Sequence, residues 1–262
     1  MSYSARQSRY LSAMGIQRWV LREPPSQPEA AVGNAPMPPP TPEASTSPSP
    51  LGERGWGEGG NPREEEMPTT RDPANITTLD WEALQQRVAD CQQCSELAAS
   101  RSQTVFGVGN RQAEWMLIGE APGDEEERLG EPFVGPAGQL LNAMLAAVGL
   151  GRQQVYIANV LKCRPPNNRD PHVDEAAHCL PFLHRQIALV QPKLILLVGR
   201  VAAQQLLGSD ANVGELRGQV HRYQDNIPMI VTYHPAYLLR KPTEKRKSWQ
   251  DLCLARAQLE QV

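Results

Sequence analysis

The chain has no apolar run approaching the ~20 residues needed to cross a bilayer. Its N-terminus also lacks a cationic stretch leading into a hydrophobic segment of signal-peptide type. These two absences predict a cytoplasmic protein with no membrane attachment. A strong charge of either sign is missing too: 26 Lys and Arg stand against 29 Asp and Glu, a formal net charge of −3. A global electrostatic field for nucleic acid is thereby excluded, and any such contact has to come from local basic patches. Cysteine is scarce, with five in 262 residues. In a reducing compartment a Cys-x2-Cys pair such as Cys91 and Cys94 reads as metal or redox chemistry rather than half of a disulfide framework.

Periodic hydrophobicity is the next shortage, and it is local. The first 75 residues hold 13 of the 24 prolines. Residues 23–75, with Pro38-Pro39-Pro40 and Ser47-Pro48-Ser49-Pro50, bury too little apolar surface to offset the entropy of ordering, and read as a disordered linker. Residues 1–22 carry a short amphipathic island from Tyr10 to Val20. It reads either as a segment that folds back on the domain or as a partner-docking peptide tethered by the linker.

Residues 76–262 suffice for one core. Apolar runs predict strands at Glu114–Ile118, Val155–Val160, Lys193–Val198 and Pro228–Thr232. Helical periodicity predicts helices at Leu79–Ala89, Ala137–Val148, Val173–Val190, Val201–Leu207 and Thr243–Gln258. This alternation is the mark of a parallel sheet covered on both faces. Gly218–Tyr223 reads as an added edge strand or hairpin.

The first strand delivers its end into Gly119-Glu120-Ala121-Pro122-Gly123, followed by Pro132-Phe133-Val134-Gly135-Pro136-Ala137-Gly138. Glycines at such a strand end let backbone N–H groups approach a ligand closely. Cys163 follows the second strand and Cys179 lies in the next helix, so four thiols can converge with Cys91 and Cys94. Spacing alone leaves zinc and iron–sulfur both open. Cys253 reads as a small core hydrophobe on the last helix, and His172 and His178 as surface histidines. Two basic patches stand out: Lys162, Arg164 and Arg169 around Cys163, and Arg240, Lys241, Lys245, Arg246 and Lys247 after the last strand. The acidic run Asp124–Glu127 reads as a solvated helix start.

Three separated segments, Gly119–Gly138, Tyr156–Arg169 and His234-Pro235-Ala236, resemble in order and residue type the signatures of the family 4 uracil-DNA glycosylases. The resemblance runs from about Ile76 to the C-terminus and leaves the N-terminal extension uncovered. It implies an α/β/α sandwich around a four-stranded parallel sheet and a [4Fe–4S] cluster on Cys91, Cys94, Cys163 and Cys179. It further implies a monomer acting on uracil-containing DNA in base excision repair, and makes a repair or replication protein the expected partner of a docking segment at residues 1–22. Uracil within a duplex is hidden by stacking, so the nucleotide must be flipped into a pocket. There Phe133 would stack on the base. Asn159 would offer a donor and an acceptor to O4 and N3–H, mismatching cytosine. His234, neutral or charged, would stabilise negative charge at O2 as the base departs.

The resemblance also places Gly119, Ala121 and Gly123 against the substrate, and Lys162, Arg164, Arg169 and Arg240 near DNA phosphates. Ala121 stands where the better-known branch carries a water-positioning aspartate, which leaves Glu120, and after it Asn168, as polar groups for the sugar or the water. Gly123 stands where that branch has a tyrosine against the thymine methyl. Rival readings are a superfamily relative acting on another deaminated base or trapping uracil-DNA, and a non-catalytic DNA-binding module.

Overall fold

Runs of consecutive apolar residues become sheet, and amphipathic runs become its cover. The computed structural model describes residues 76–260 and, upstream, Ser12. The expectations for residues 1–22, Ser12 apart, a segment folding back or a docking peptide, and for a linker at residues 23–75, fall outside the described residues. In chain order come α1 (Trp81–Ala89), α2 (Ser95–Ser100), β1 (Val108–Gly109), β2 (Trp115–Gly119) and α3 (Asp124–Leu129). They are followed by α4 (Pro136–Ala147), β3 (Tyr156–Asn159), α5 (Val173–Val190), β4 (Leu194–Val198) and α6 (Arg200–Leu207). The chain closes with α7 (Val213–Leu216), β5 (Val220–Tyr223), β6 (Ile227–Thr232), α8 (Pro235–Arg240) and α9 (Lys245–Leu259).

The six strands form one sheet in the order β1-β3-β2-β4-β6-β5. The inner four, β3, β2, β4 and β6, are the predicted strands and pair in parallel. Short antiparallel strands close both edges, and β5 is the expected Gly218–Tyr223 element. The two-residue β1 has too little pattern to be read from sequence.

Every residue of β2, β3 and β4 is buried, because alternate side chains meet helices on opposite faces. Met116, Ile118, Ala158, Ile195 and Leu197 pack with Leu183 and Ile187 of α5 and Ala202 and Ala203 of α6. Trp115, Leu117, Ile157, Leu194 and Leu196 pack with Leu141, Met144 and Leu145 of α4 and Leu252 of α9. The result is the three-layer α/β/α sandwich. Leu84 and Val88 of α1 join Phe106 and Phe182 in a smaller cluster, which brings the Cys91 region beside α5. No helix among the described residues is long and apolar enough to cross a membrane.

Candidate functional site: a strand-end cleft beside converging cysteines

The parallel strands end together at one edge of the sheet. Gly119 of β2 is in register with Asn159 of β3, and Val198 of β4 with Thr232 of β6. The chain passes from β2 to β3 on one side and then crosses back to β4 on the other, so β2 is the switch point where open α/β sheets hold ligands. A cleft of about 810 Å³ opens there. Glu120, Phe133, Asn159, Asn168, His234 and Arg240 all line it, as do Ala121 and Gly123.

Phe133 is held in an unusual backbone conformation, φ +55°, which costs a non-glycine residue energy unless its surroundings enforce it. Arg152 donates to the carbonyls of Phe133 (3.1 Å) and Pro132, while Glu126 Oε1 accepts from the N–H groups of Val134 (3.0 Å) and Gly135 (3.2 Å). Gly138 permits the turn, since a Cβ there would lie 1.9 Å from the Phe133 carbonyl oxygen. The Phe133 ring is thereby set 5.5 Å from the His234 ring, tilted by 32°.

Asn159 is 2% exposed, and its Oδ1 has no hydrogen-bond partner among the described residues. A buried acceptor left unmatched is costly in a free protein and waits for a donor. Gly119 makes room for it: a Cβ at that position would stand 2.4 Å from Asn159 Oδ1 and 2.7 Å from the Phe133 ring.

His234 caps α8, its Nδ1 accepting from the Ala236 N–H at 3.2 Å. An acceptor Nδ1 puts the proton of the neutral ring on Nε2. Desolvation, and after it the nearby Arg240 cation, push its pKa down to about 4, partly offset by Glu126. The imidazole is therefore neutral near pH 7 and offers one N–H donor.

Glu120 is half-buried, and its pKa is raised by desolvation and then by Asp170, against the opposing pull of Arg200. Asn168 is exposed at the rim, its Oδ1 accepting from Arg164 Nε at 2.8 Å.

The four cysteines do converge. Cys163 and Cys179 are buried, Cys91 and Cys94 half-buried. Burial, followed by the nearness of Cys163 and Cys91, pushes Cys94 up to about 11. Cys179 rises to about 12 through burial and its neighbours Cys163 and Cys94. Arg101 ties the group together, donating to Cys163 Sγ (3.0 Å) and to the carbonyls of Cys91 (2.5 Å) and Ala89 (3.3 Å). Among the described residues, the one set of three or more His, Cys, Asp or Glu ligand atoms within 4.8 Å of one another is Glu96, His172 and Glu175. The cysteine sulfurs are thus spread more widely. Arg169 already neutralises that acidic set, pairing with Glu175 at 2.6 Å and Glu96 at 2.8 Å.

Several expectations need correction. Lys162 is 1% exposed and cannot reach a phosphate from where it lies; its Nζ donates inward to the Asn159 carbonyl and to Gln186. Arg164 pairs with Asp124 at 2.6 Å and Arg169 with Glu175 and Glu96, so a phosphate at either would have to displace a carboxylate. Arg240 is exposed at the cleft mouth. The acidic run is no merely solvated helix start: Glu126 braces Phe133, and Glu127, 8% exposed, accepts from the Ser102 N–H at 3.2 Å. Cys253 is exposed, not core. His172 and His178 are exposed as expected, although His178 Nδ1 comes within 3.6 Å of Cys94 Sγ.

Sequence reasoning missed other cleft residues: Arg200, paired with Asp170, and Tyr233 and Tyr237, whose rings stack at 5.0 Å. Their position at the ends of β4 and β6 was the available signal.

A family model described as the uracil DNA glycosylase superfamily matches residues 106–257. The chain is 43% identical over 162 residues to a type-4 uracil-DNA glycosylase of Archaeoglobus fulgidus, covering 59% of this chain and 81% of that protein. The chain belongs to the uracil DNA glycosylase superfamily. A second type-4 uracil-DNA glycosylase, from Pyrobaculum aerophilum, is 38% identical over 183 residues, 67% of this chain and 93% of its own. A third, from Thermotoga maritima, is 41% identical over 160 residues, with 61% and 83% covered. In this superfamily member the matched region contains the whole cleft and two of the four converging cysteines, Cys163 and Cys179.

Proposed function

We propose that this protein removes uracil from DNA by hydrolysing its N-glycosidic bond, leaving an abasic site for base excision repair. One observation carries the reading. A positioned aromatic ring, an unpartnered buried amide oxygen and an N–H-bearing neutral imidazole, from Phe133, Asn159 and His234, surround one cleft at the sheet's switch point.

A flipped uracil stacks on Phe133, and Asn159 Oδ1 accepts its N3–H while the amide N–H₂ donates to O4. Cytosine, which lacks N3–H and carries an amino group at position 4, leaves those groups unmatched, the condition under which a polar pocket discriminates best. His234 Nε2–H donates to O2 as the bond to the sugar breaks and the base gathers negative charge. A neutral donor stabilises a developing oxyanion by about 3 kcal/mol in a water-poor site. Ala121 supplies no carboxylate, so water activation falls to Glu120, whose raised pKa favours accepting a proton. Asn168 at the rim serves the sugar.

Cys91, Cys94, Cys163 and Cys179 would hold an iron–sulfur cluster of the [4Fe–4S] type. The donor set supports this: all four are thiols, and Arg101 beside Cys163 offsets the charge of thiolate ligands. Their spread exceeds the roughly 3.8 Å edge of a tetrahedron around one zinc ion with 2.3 Å bonds, which suits a polynuclear centre. When bound, the cluster supplies a structural clamp between the α1–α2 connection and the loop after β3, since base removal transfers no electrons. Iron, sulfide and zinc analysis with an optical spectrum tests the assignment; one zinc per chain without iron would overturn it.

Purified protein incubated with a uracil-containing oligonucleotide and then alkali tests the activity. Strand cleavage at uracil is expected. A stable covalent adduct would assign the trapping class instead, and binding without cleavage a non-catalytic module.

A further inference from the structure

Lys162, a candidate phosphate contact by residue type, is among the largest fully buried side chains of the protein. An amine so placed needs acceptors, and it has two: the backbone carbonyl of Asn159 at 2.7 Å and Gln186 Oε1 at 2.6 Å. Gln186, fully buried on α5, is itself fixed, its Nε2 donating to the Phe106 carbonyl at 2.9 Å and to Tyr156 Oη at 3.2 Å. The other end of Lys162 is equally tied. Its backbone carbonyl accepts from the Val105 N–H at 2.7 Å. The next residue is Cys163.

We propose that Lys162 is a positioning residue for uracil recognition, pinning the strand-end carbonyl of Asn159 to α5 and to the cysteine loop so that the Asn159 amide meets the base in register. This rests on the reading of Asn159 as the uracil-contacting residue. The physical ground is that Asn159 is the last residue of β3: the N–H groups of Val160 and Leu161 still donate across to the Gly119 and Glu120 carbonyls, at 2.9 and 3.0 Å, while the Asn159 carbonyl accepts from the Lys162 side chain. Beyond it the chain turns toward the thiols. A side-chain amide can be no better placed than the peptide it hangs from, and a displacement near 1 Å at such a site costs on the order of a hundredfold in rate. The Lys162–Gln186 pair adds to that pairing, at the Asn159 carbonyl, two short hydrogen bonds from a fully buried amine. It also gives the thiol loop a route to the pocket: whatever orders Cys163 orders the residue before it, which holds the Asn159 carbonyl.

The test is a cycle of Asn159→Ala, Lys162→Met and the double variant, in the full chain loaded with its metal. Four readouts are needed: iron per chain, affinity for DNA without uracil as a function of salt, thermal midpoint, and single-turnover excision of uracil at saturating enzyme. Lys162→Met is expected to keep the iron content and the salt-dependent DNA affinity while excision falls about tenfold to a hundredfold. The double variant is expected to be no slower than Asn159→Ala alone, because the lysine acts through that side chain. Additive losses would reduce Lys162 to a general stabiliser, and weakened DNA affinity with a lower salt slope would make it a phosphate contact; either overturns the inference. If Lys162→Met fails to fold or to hold iron, Gln186→Leu, which leaves the lysine and cysteines in place, replaces it in the cycle, and the same outcomes support or overturn the inference. Wild-type excision by Asn159→Ala would overturn the reading of Asn159 and the route through it. An impaired Asn159→Ala beside an unimpaired Lys162→Met would overturn the positioning role alone.

Discussion

Gly119 and Asn159 face each other in register on neighbouring parallel strands, and the absent side chain of the first leaves the space that the second occupies. A methyl group at Gly119 would stand 2.4 Å from Asn159 Oδ1, closer than any real contact, so the amide or the Phe133 ring has to move. Gly119→Ala is therefore expected to slow uracil excision by tenfold or more, and to cost about 1–3 kcal/mol of stability through overpacking. Single-turnover kinetics and denaturant unfolding check the two halves separately. An unslowed enzyme would mean that Asn159 does not meet the base.

His234 carries a sharp pH signature. Its folded pKa is about 4 against an ordinary 6.5, so the folded protein resists a proton that the unfolded chain accepts. The stability contribution is full above pH 6.5 and is lost as pH falls toward 4. Between pH 6 and 8 the ring keeps one charge state, and excision should show no inflection that disappears in His234→Gln. That variant is expected to lose about 10²–10³ in single-turnover rate, the usual loss for a missing oxyanion donor. A rate inflection near 6.5 that vanishes in the variant would show that the charged imidazole works instead.

The cysteines divide into two classes by burial and company. Cys163→Ser removes a buried member of the converging four, beside Arg101, and is expected to lose both iron and soluble yield. Cys253→Ser changes an exposed thiol on α9 and should leave iron content and activity untouched. Iron per chain and the visible absorption of the two purified proteins decide this. A folded, iron-free Cys163→Ser with full activity would remove the structural role of the cluster.

Arg240 lies exposed at the cleft mouth. Arg240→Ala is expected to weaken binding about equally to all DNA sequences and to lower the slope of log affinity against log salt by about 1. The measurement is a salt titration of binding to DNA without uracil. An unchanged slope would place Arg240 off the phosphate track.

Much of the fold was legible because burial on both faces leaves a plain mark. Trp115-Met116-Leu117-Ile118 and Leu194-Ile195-Leu196-Leu197-Val198 have no polar residue to turn toward water, so they had to be inner strands. The edge strand β1, two residues long, carries no such mark. Lys162 shows where reading by residue type fails. A lysine among arginines near a strand end reads as a phosphate contact, and only the positions of Gln186 and the Asn159 carbonyl turn it inward. Cys253 failed for the opposite reason, since an apolar residue on a helix shows its facing only once the helix has packed.

Residue type and order by themselves determined the parallel sheet, the strand-end pocket and the cysteines available to a metal, because each depends on local pattern. Tertiary structure alone decided that His234 is neutral with its proton on Nε2, that Asn159 holds an oxygen unmatched among the described residues, and that Arg164 and Arg169 are already paired. Desolvation, hydrogen-bond direction and charge pairing are set by neighbours brought from elsewhere in the chain, and no window of sequence contains them.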